Sequence, residues 1–405
     1  MKKNSAIPGP LELNLLADDI LERCARERLG LKASMAALLP QAARALGASA
    51  AAVETLDEEL KRETFHWRYE PGFRLEKTPG RPQRSFSRGL HWVTRSLDAG
   101  GRRAGTIAFG YRAEPETGGD YFARLNALCE ALDDTLWSIQ TAAVKQKLAE
   151  AVTRCLSRSV LRDAIDEAVA VLREEIPFRS LGLVYHNEDA ADSSRLQYRI
   201  YRGARCVHDS EQRPHRALSR AISRMGATLL YPDQAVVRKL LGLRAGLSFM
   251  LSAQSAGGEN LGKLVVEAKG GLSAFGRDLM RIFVNSVSQR LIDYNRERRH
   301  LAQFFPPEVI SGLLSDPDYL RKYLSPRVKP IAILYTDINS FTKLCEKGLR
   351  RPDLIGEFVD QWSEGAVRLA WKHGGTFDKM VGDCVIAHFG PPFFSRTPAE
   401  CALDA

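Results

Sequence analysis

Two aspartates stand where the chain passes from strand-like to turn-like texture. Ile331-Ala-Ile-Leu-Tyr-Thr-Asp337 is a continuous apolar run ending in a carboxylate, the pattern of a strand buried on both faces with its polar end at a site. Farther on, Thr376-Phe-Asp-Lys-Met-Val381 and Cys384-Val-Ile-Ala-His-Phe389 read as two strands joined by a turn at Gly382-Asp383. A hairpin beside the first strand brings Asp383 close to Asp337. Two facing carboxylates repel, and without a cation one of them must be protonated. A divalent metal removes that conflict, and oxygen donors with few nitrogen or sulfur groups nearby favour Mg²⁺ or Mn²⁺ over zinc. Taken singly, Asp337 suits a helix cap and Asp383 suits a turn; the metal reading belongs to the pair.

The elements around them are arranged to hold such a pair. Asn339 and Ser340 are placed to cap a helix after the first strand. A second helix, Asp353 to Lys372, shows an apolar stripe at Ile355, Phe358, Val359, Trp362, Ala366 and Leu369. Gly374-Gly375 stops it, and the order is strand, helix, helix, strand, strand.

The chain before residue 299 contains a weak repeat. Arg102 to Tyr111 follows Gly100-Gly101 and Leu261 to Glu267 follows Gly257-Gly258, and each run leads into a long helical pattern. Each half opens with a helix, Leu31 to Leu46 and Asp163 to Glu175. The strand-like runs are Ala51 to Leu56, Glu63 to Tyr69 and Leu90 to Leu97 in the first half, and Leu181 to Tyr185, Leu196 to Arg202 and Leu247 to Ala253 in the second. An antiparallel sheet carrying helices is the economical reading of each half. In the closing helices, Leu125, Leu128, Leu132, Ile139, Ala142 and Ala149, and again Val284, Val287, Leu291, Tyr294 and Leu301 with Arg298 interrupting, fall on alternating steps of three and four. That spacing suits a two-helix seam between copies of the chain or a helix packed on its own sheet.

This outline resembles two tandem GAF domains, small-molecule sensor modules, over about residues 12–145 and 150–295. Gly262 to Glu267 with Phe275 and Asp278 looks like the family's last strand and helix. The residues that mark cyclic-nucleotide binding in the family are replaced here: Ala268-Lys269 stands for the Asn-Lys pair, and Asp278 has no Glu beside it. The resemblance therefore implies a small-molecule ligand of unknown identity.

From about residue 300 a second resemblance takes over. Tyr335-Thr-Asp337-Ile-Asn-Ser-Phe341-Thr342 and Gly374-Gly-Thr-Phe-Asp-Lys379-Met-Val-Gly382-Asp383-Cys-Val-Ile-Ala387-His-Phe389-Gly390 are similar to the two metal-aspartate motifs of class III nucleotidyl cyclases. Phe304 to Leu314 looks like the segment that precedes many such domains. The resemblance implies that Asp337 and Asp383 hold two Mg²⁺ or Mn²⁺ ions, with the Ile338 backbone carbonyl as a further ligand. Phe341 and Thr342 fall on the substrate side of the first motif. Lys379 occupies the family's base-selecting position. Adenine N1 accepts a hydrogen bond whereas guanine N1 and N2 donate, so an ammonium there suits ATP.

The implied architecture is α+β: a GAF-like sensor domain over 1–145, a second with a signalling helix over 146–298, and the N-terminal part of a ferredoxin-like class III cyclase domain over 299–405. The implied activity is conversion of ATP to 3′,5′-cyclic AMP and pyrophosphate in a homodimer joined through helical seams and the cyclase domain. From Ile331 to Ala405 there are 75 residues. The second base-contacting residue and the transition-state Asn and Arg of the family pattern are expected beyond Ala405, so the fragment is expected to be inactive alone. Guanylate cyclase and a catalytically degenerate, binding-only regulator are the alternatives. The Gly-Gly-Asp-Glu-Phe signature of diguanylate cyclases is replaced by Val381-Gly-Asp-Cys-Val385.

Composition narrows the remaining classes. No run approaches the roughly 18 to 20 apolar residues of a membrane span, and Met1-Lys-Lys-Asn-Ser5 leads into Pro8 and Pro10 without a signal-peptide core, so the cytosol is the expected location. Seven scattered cysteines without a Cys-x-x-Cys motif read as reduced, buried small apolar residues. The net charge of +9 is spread along the chain and its basic stretches lack interleaved aromatics, which argues against nucleic-acid binding. Neither a Gly-rich phosphate loop nor a histidine pair at metal-ligand spacing is present. Cys206-Val-His208, among Arg202, Arg205 and Arg213, reads as a surface loop.

Overall fold

A computed structural model describes residues 8–68, 83–99, 102–186, 196–225, 238–244, 246–252, 260–391 and 396–405. The architecture is α+β, built on antiparallel sheets. The chain divides into two compact units, residues 1–147 and 148–405.

In the first unit, helices α1 (Pro10–Arg26) and α2 (Leu31–Ala45) precede strands β1 (Ala50–Leu56), β2 (Arg62–Trp67), β3 (Gln83–Ser87), β4 (Leu90–Ala99) and β5 (Arg102–Tyr111), and α3 (Gly119–Leu156) follows. The strands order as β2-β1-β5-β4-β3. Pro10 and Glu12 start α1, the Glu12 carboxylate accepting the Gly9 N–H at 2.9 Å, which satisfies the amide at the N-cap position. One face of the sheet and the three helices enclose a core containing Leu38, Val53, Phe109, Leu125, Leu128 and Leu132. These last three belong to the periodic stripe that suited a seam between copies. They fill the unit's own core instead, Ile139 packs partly against it, and Ala142 is exposed.

A carboxylate is caught in this packing. Asp133 on α3 has one buried oxygen with no hydrogen-bond partner, and its pKa is pushed up to about 6, by burial first and by Asp98 and Asp134, with Arg95 and the Asp98 backbone opposing. A carboxylate whose folded pKa is raised contributes stability below its unfolded value near 4, and loses it as pH rises through about 6. Asp133→Asn should therefore stabilise the protein at pH 7 by about 1 kcal/mol, a figure discounted for the half-exposed carboxyl. It should also flatten the stability profile between pH 4 and 6, as read by urea denaturation across that range.

The second unit begins with α4 (Leu161–Glu175) and strands β6 (Phe178–His186), β7 (Leu196–Arg202) and β8 (Arg205–Asp209). These are followed by α5 (Arg216–Met225), β9 (Leu247–Ser252), β10 (Asn260–Ala268) and α6 (Ala274–Leu301). Its five strands order as β8-β7-β6-β10-β9. In both sheets the last strand lies beside the first, so the repeat seen in the sequence exists as shared topology. Ser273 caps α6, accepting the Gly276 N–H at 3.0 Å. Gly262 is required where β10 passes β6, because a Cβ would stand 2.5 Å from the Val184 carbonyl oxygen.

The second periodic stripe also closes on its own chain. Val284, Val287, Leu291 and Tyr294 are buried, with α6 packed on β9, β10 and α4. A sheet face offers these residues more apolar area than a two-helix seam would, and burial follows area. Tyr69, Ala253 and the Gly100-Gly101 and Gly257-Gly258 turns lie outside the described residues. Among the described residues, no helix is long and apolar enough to cross a membrane. All seven cysteines are free, but only Cys24, Cys129 and Cys401 are buried; the other four are partly exposed, which corrects their uniform reading as core residues.

Candidate functional site

The last sheet is small. After α7 (Pro307–Leu314) come β11 (Ala332–Thr336), a short turn of helix α8 (Phe341–Lys343) continuing into a π-helical turn at Leu344–Leu349, α9 (Pro352–Lys372), β12 (Gly375–Val381), β13 (Cys384–Phe389) and α10 (Pro398–Asp404). The strands order as β11-β13-β12, both pairs antiparallel. Ala370, Ala387, Phe389 and Cys401 form the core between one sheet face and helices α9 and α10, with Leu334 packed against it.

β11 is half-buried on one face and exposed on the other, contrary to the two-sided burial its apolar composition suggests. Ile333 and Tyr335 are 53% and 65% exposed, and Val381 of β12 is 58% exposed. The helices cover the opposite face, so strict alternation governs a strand whose residues are nearly all apolar. Likewise Leu369, read as part of the α9 stripe, is 48% exposed.

The register explains how the two acidic motifs come to one edge of the sheet. Thr336 pairs with Val385 and Val381 pairs with Cys384, so the end of β11 and the Gly382-Asp383 turn lie at the same edge. Gly382 has φ +64°, the left-handed conformation that a two-residue hairpin turn requires and glycine adopts without strain. One Asp383 carboxylate oxygen accepts the Ile338 N–H at 3.2 Å, which places that carboxylate beside the residue following Asp337. The Trp362 indole N–H donates to the Asp383 carbonyl at 2.9 Å. Trp362 thereby ties the turn to α9, a positioning role hidden in the sequence because the residue also fits the apolar stripe.

Asp337 is exposed and Asp383 partly buried. The Ile338 carbonyl accepts the Phe341 N–H at 3.2 Å and keeps a second lone pair free for another donor or a cation. Phe341 is partly buried and Thr342 exposed. Ser340 departs from its expected capping role: it has φ +60° and makes no side-chain cap bond, because the tight turn at residues 339 and 340 takes the chain out of capping geometry. Lys379 lies on β12 beside an irregularity between Phe377 and Lys379 and pairs in register with Ile386. Its ammonium stands 3.7 Å from the Asp378 carboxylate, both well exposed, a contact of little energetic weight.

Among the described residues, no three His, Cys, Asp or Glu side chains converge as a metal cluster. The donor set at this edge is two carboxylates and a backbone carbonyl, all oxygen. That set fits Mg²⁺ or Mn²⁺, which retain several waters and use one or two carboxylates together with substrate phosphates, and does not fit a closed zinc site.

Sequence reasoning also missed a feature of the second unit. Cys206-Val-His208, read as a surface loop, belongs to strand β8, paired with β7, and His208 lines a cavity. The run has no alternation of exposed and covered positions, so its sequence carried no period-two signal to find it by. The Cys206 thiol is pushed up from its ordinary pKa by burial, although Arg199 opposes this, which disfavours the thiolate.

The fold and this edge define an α+β protein with an acidic, oxygen-donor site at the end of a small antiparallel sheet. No protein-family description matches the chain, and no curated protein matches it. Among solved structures the chain is similar to the bacteriophytochrome RpBphP3 from the photosynthetic bacterium R. palustris, with 8% identity and a TM-score of 0.27 over 72% of this chain and 77% of that one. At that score the likeness defines no shared overall arrangement and assigns no activity.

Proposed function

We propose that residues 299–405 carry the metal-binding half of a nucleotidyl cyclase site acting on ATP, and that the two preceding α+β modules are GAF-like sensors that bias it. The observation that carries this reading is the Ile338 N–H bond to the Asp383 carboxylate, because it seats the second acidic motif against the first. Asp337, Asp383 and the Ile338 carbonyl would hold the ions. Bound Mg²⁺ or Mn²⁺ would neutralise the triphosphate and acidify the ribose 3′-hydroxyl. In the reaction the 3′-oxygen loses its proton and bonds to the α-phosphorus, and the α-phosphorus bond to the bridging oxygen breaks to release pyrophosphate. The protein's share is to position and to screen charge: the hairpin turn fixes Asp383, Trp362 fixes the turn, and Lys379 offers a donor to an adenine ring nitrogen. A sensor module acts on such a site only by favouring one of two arrangements of the catalytic part.

The absence of a third side-chain ligand among the described residues favours a second reading, a regulator that binds nucleotide without turning it over. Incubation of this chain, completed with the second half of the site that the family pattern requires, with Mn²⁺ and ATP or GTP, with cyclic nucleotide measured by chromatography, separates the two. Cyclic AMP should form in preference to cyclic GMP, and Asp337→Ala should slow it by about 100-fold or more. Equal rates in the variant would remove Asp337 from the site. Calorimetric binding of Mn²⁺-ATP without product would support the regulator.

A further inference from the structure

The second unit contains a cavity of about 710 Å³, inside the range of small-molecule sites. Ile200 of β7, Val207 of β8, Leu218 of α5 and Leu241 supply its apolar wall, and Arg202, His208, His215 and Lys239 its polar groups. Among the described residues, no Asp or Glu lines it. The Arg202 guanidinium donates to the Ser180 hydroxyl and to the Gly242 carbonyl, neither of them charged. Among the described residues, Lys239 has no ion pair. Two cations therefore stand at an apolar hollow without a carboxylate counter-charge, an arrangement that gains most when an anion enters and sheds water there.

The histidines sharpen the chemistry. Their rings meet edge to face at 5.2 Å between centroids. The Nδ1 of His215 accepts the Leu218 N–H at 3.3 Å, which assigns the proton of the neutral ring to Nε2 and leaves that edge a donor. The His215 backbone N–H donates to the Tyr198 hydroxyl at 2.7 Å, and Tyr198 is buried, so the residue is anchored from the core side. His215 also stands immediately before α5, whose ten residues present the positive end of their dipole at the same place.

We propose that this cavity binds an organic carboxylate with an aromatic or aliphatic body. The carboxylate is held by Arg202 and Lys239 with a donor from His215, and the body lies against Ile200, Val207, Leu218 and Leu241. The proposal rests on the sensor half of the reading above and is independent of its catalytic half.

The test is calorimetric titration of the protein with 2-naphthoate and with 2-naphthalenemethanol, a neutral molecule of nearly the same shape. Naphthoate should bind saturably and the alcohol at least about ten-fold more weakly, since a hydrogen bond to a charged group is worth about a decade in affinity. Arg202→Gln and Lys239→Gln should each weaken naphthoate about ten-fold. Lys239 is exposed, so its variant keeps the test intact if Arg202→Gln disturbs the fold, which circular dichroism reports. Asp337→Ala should bind naphthoate as the unaltered protein does, whatever its effect on nucleotide chemistry. Equal binding of acid and alcohol, no saturable binding below about 1 mM, or wild-type affinity in both variants would overturn the proposal.

Discussion

Asp383→Asn and Asp383→Ala should both abolish Mn²⁺ binding, detected as loss of the bound-ion signal in an electron paramagnetic resonance titration, and under the proposed reading both should slow cyclisation about 1000-fold. Only the alanine variant should also loosen the turn. The carboxylate has two separable duties. As an acceptor it takes the Ile338 N–H, and an asparagine carbonyl oxygen can do the same. As a charge it would, under the proposed reading, be half of the carboxylate pair that attracts a divalent ion, and asparagine removes that charge without changing shape. Losing one of only two anionic ligands leaves the metal too weakly held to stabilise developing charge, a contribution of several kcal/mol, and each 1.36 kcal/mol is a decade in rate. Alanine additionally leaves the Ile338 N–H to water, worth about 1 kcal/mol, and this should appear as faster hydrogen exchange at that amide. Unchanged Mn²⁺ affinity in Asp383→Asn would show that the residue is only a turn anchor.

Much of this arrangement was legible because it depends on short-range rules. The Gly382-Asp383 turn, the apolar run from Cys384 to Phe389, and the glycines that stop α9 are local signals, and each lies where those rules put it. The sequence placed the hairpin beside the first strand without saying which of its strands pairs there; adjacency of consecutive strands favours β12, and the structure pairs β13 with β11 instead. What failed was whatever depended on which face a partner covers. Composition marks Ile333 and Tyr335 as core, but no described element covers that face, so they stand exposed. The heptad-like stripe of α6 could not distinguish a sheet from a second helix, because both want the same apolar spacing.

The cavity residues were illegible for a different reason. Arg202, His208, His215 and Lys239 come from a strand end, an edge strand, a helix start and a helical stretch at 238–240, and nothing in their spacing links them. Charge on a strand also hides its two faces. In Tyr198-Arg-Ile-Tyr-Arg202, period two sends Tyr198, Ile200 and Arg202 toward the cavity and its small core, and Arg199 and Tyr201 toward α4. An arginine on each face reads from sequence as a polar edge rather than as two unlike environments.

That second environment carries the largest expected stability effect. Arg199 is 3% exposed. Its Nη2 donates to an Asp166 carboxylate oxygen at 2.7 Å, and its Nε donates to the Tyr201 hydroxyl at 2.8 Å, which in turn donates to the same Asp166 oxygen at 2.7 Å. Burial works against the charged guanidinium, but Tyr201, Tyr185 and Asp166 outweigh it and Arg199 stays charged. Burial likewise holds the Tyr201 phenol far above its usual pKa, as a neutral donor. Asp166→Ala removes the only anion in this triad and leaves the guanidinium buried with a phenol and, at 3.8 Å, the Cys206 sulfur. Breaking a fully buried pair costs about 3–5 kcal/mol, whereas replacing both partners by apolar groups of similar volume is often neutral; the Asp166 side chain is 39% exposed, which lowers the expected loss to about 2–3 kcal/mol. Urea denaturation should therefore show Asp166→Ala strongly destabilised and the double variant Asp166→Leu with Arg199→Met close to the unaltered protein. A loss below about 1 kcal/mol in Asp166→Ala would mean that water reaches the guanidinium. In that case this strand would be held in register by its apolar face alone, the face that Ile200 and Arg202 present to the cavity.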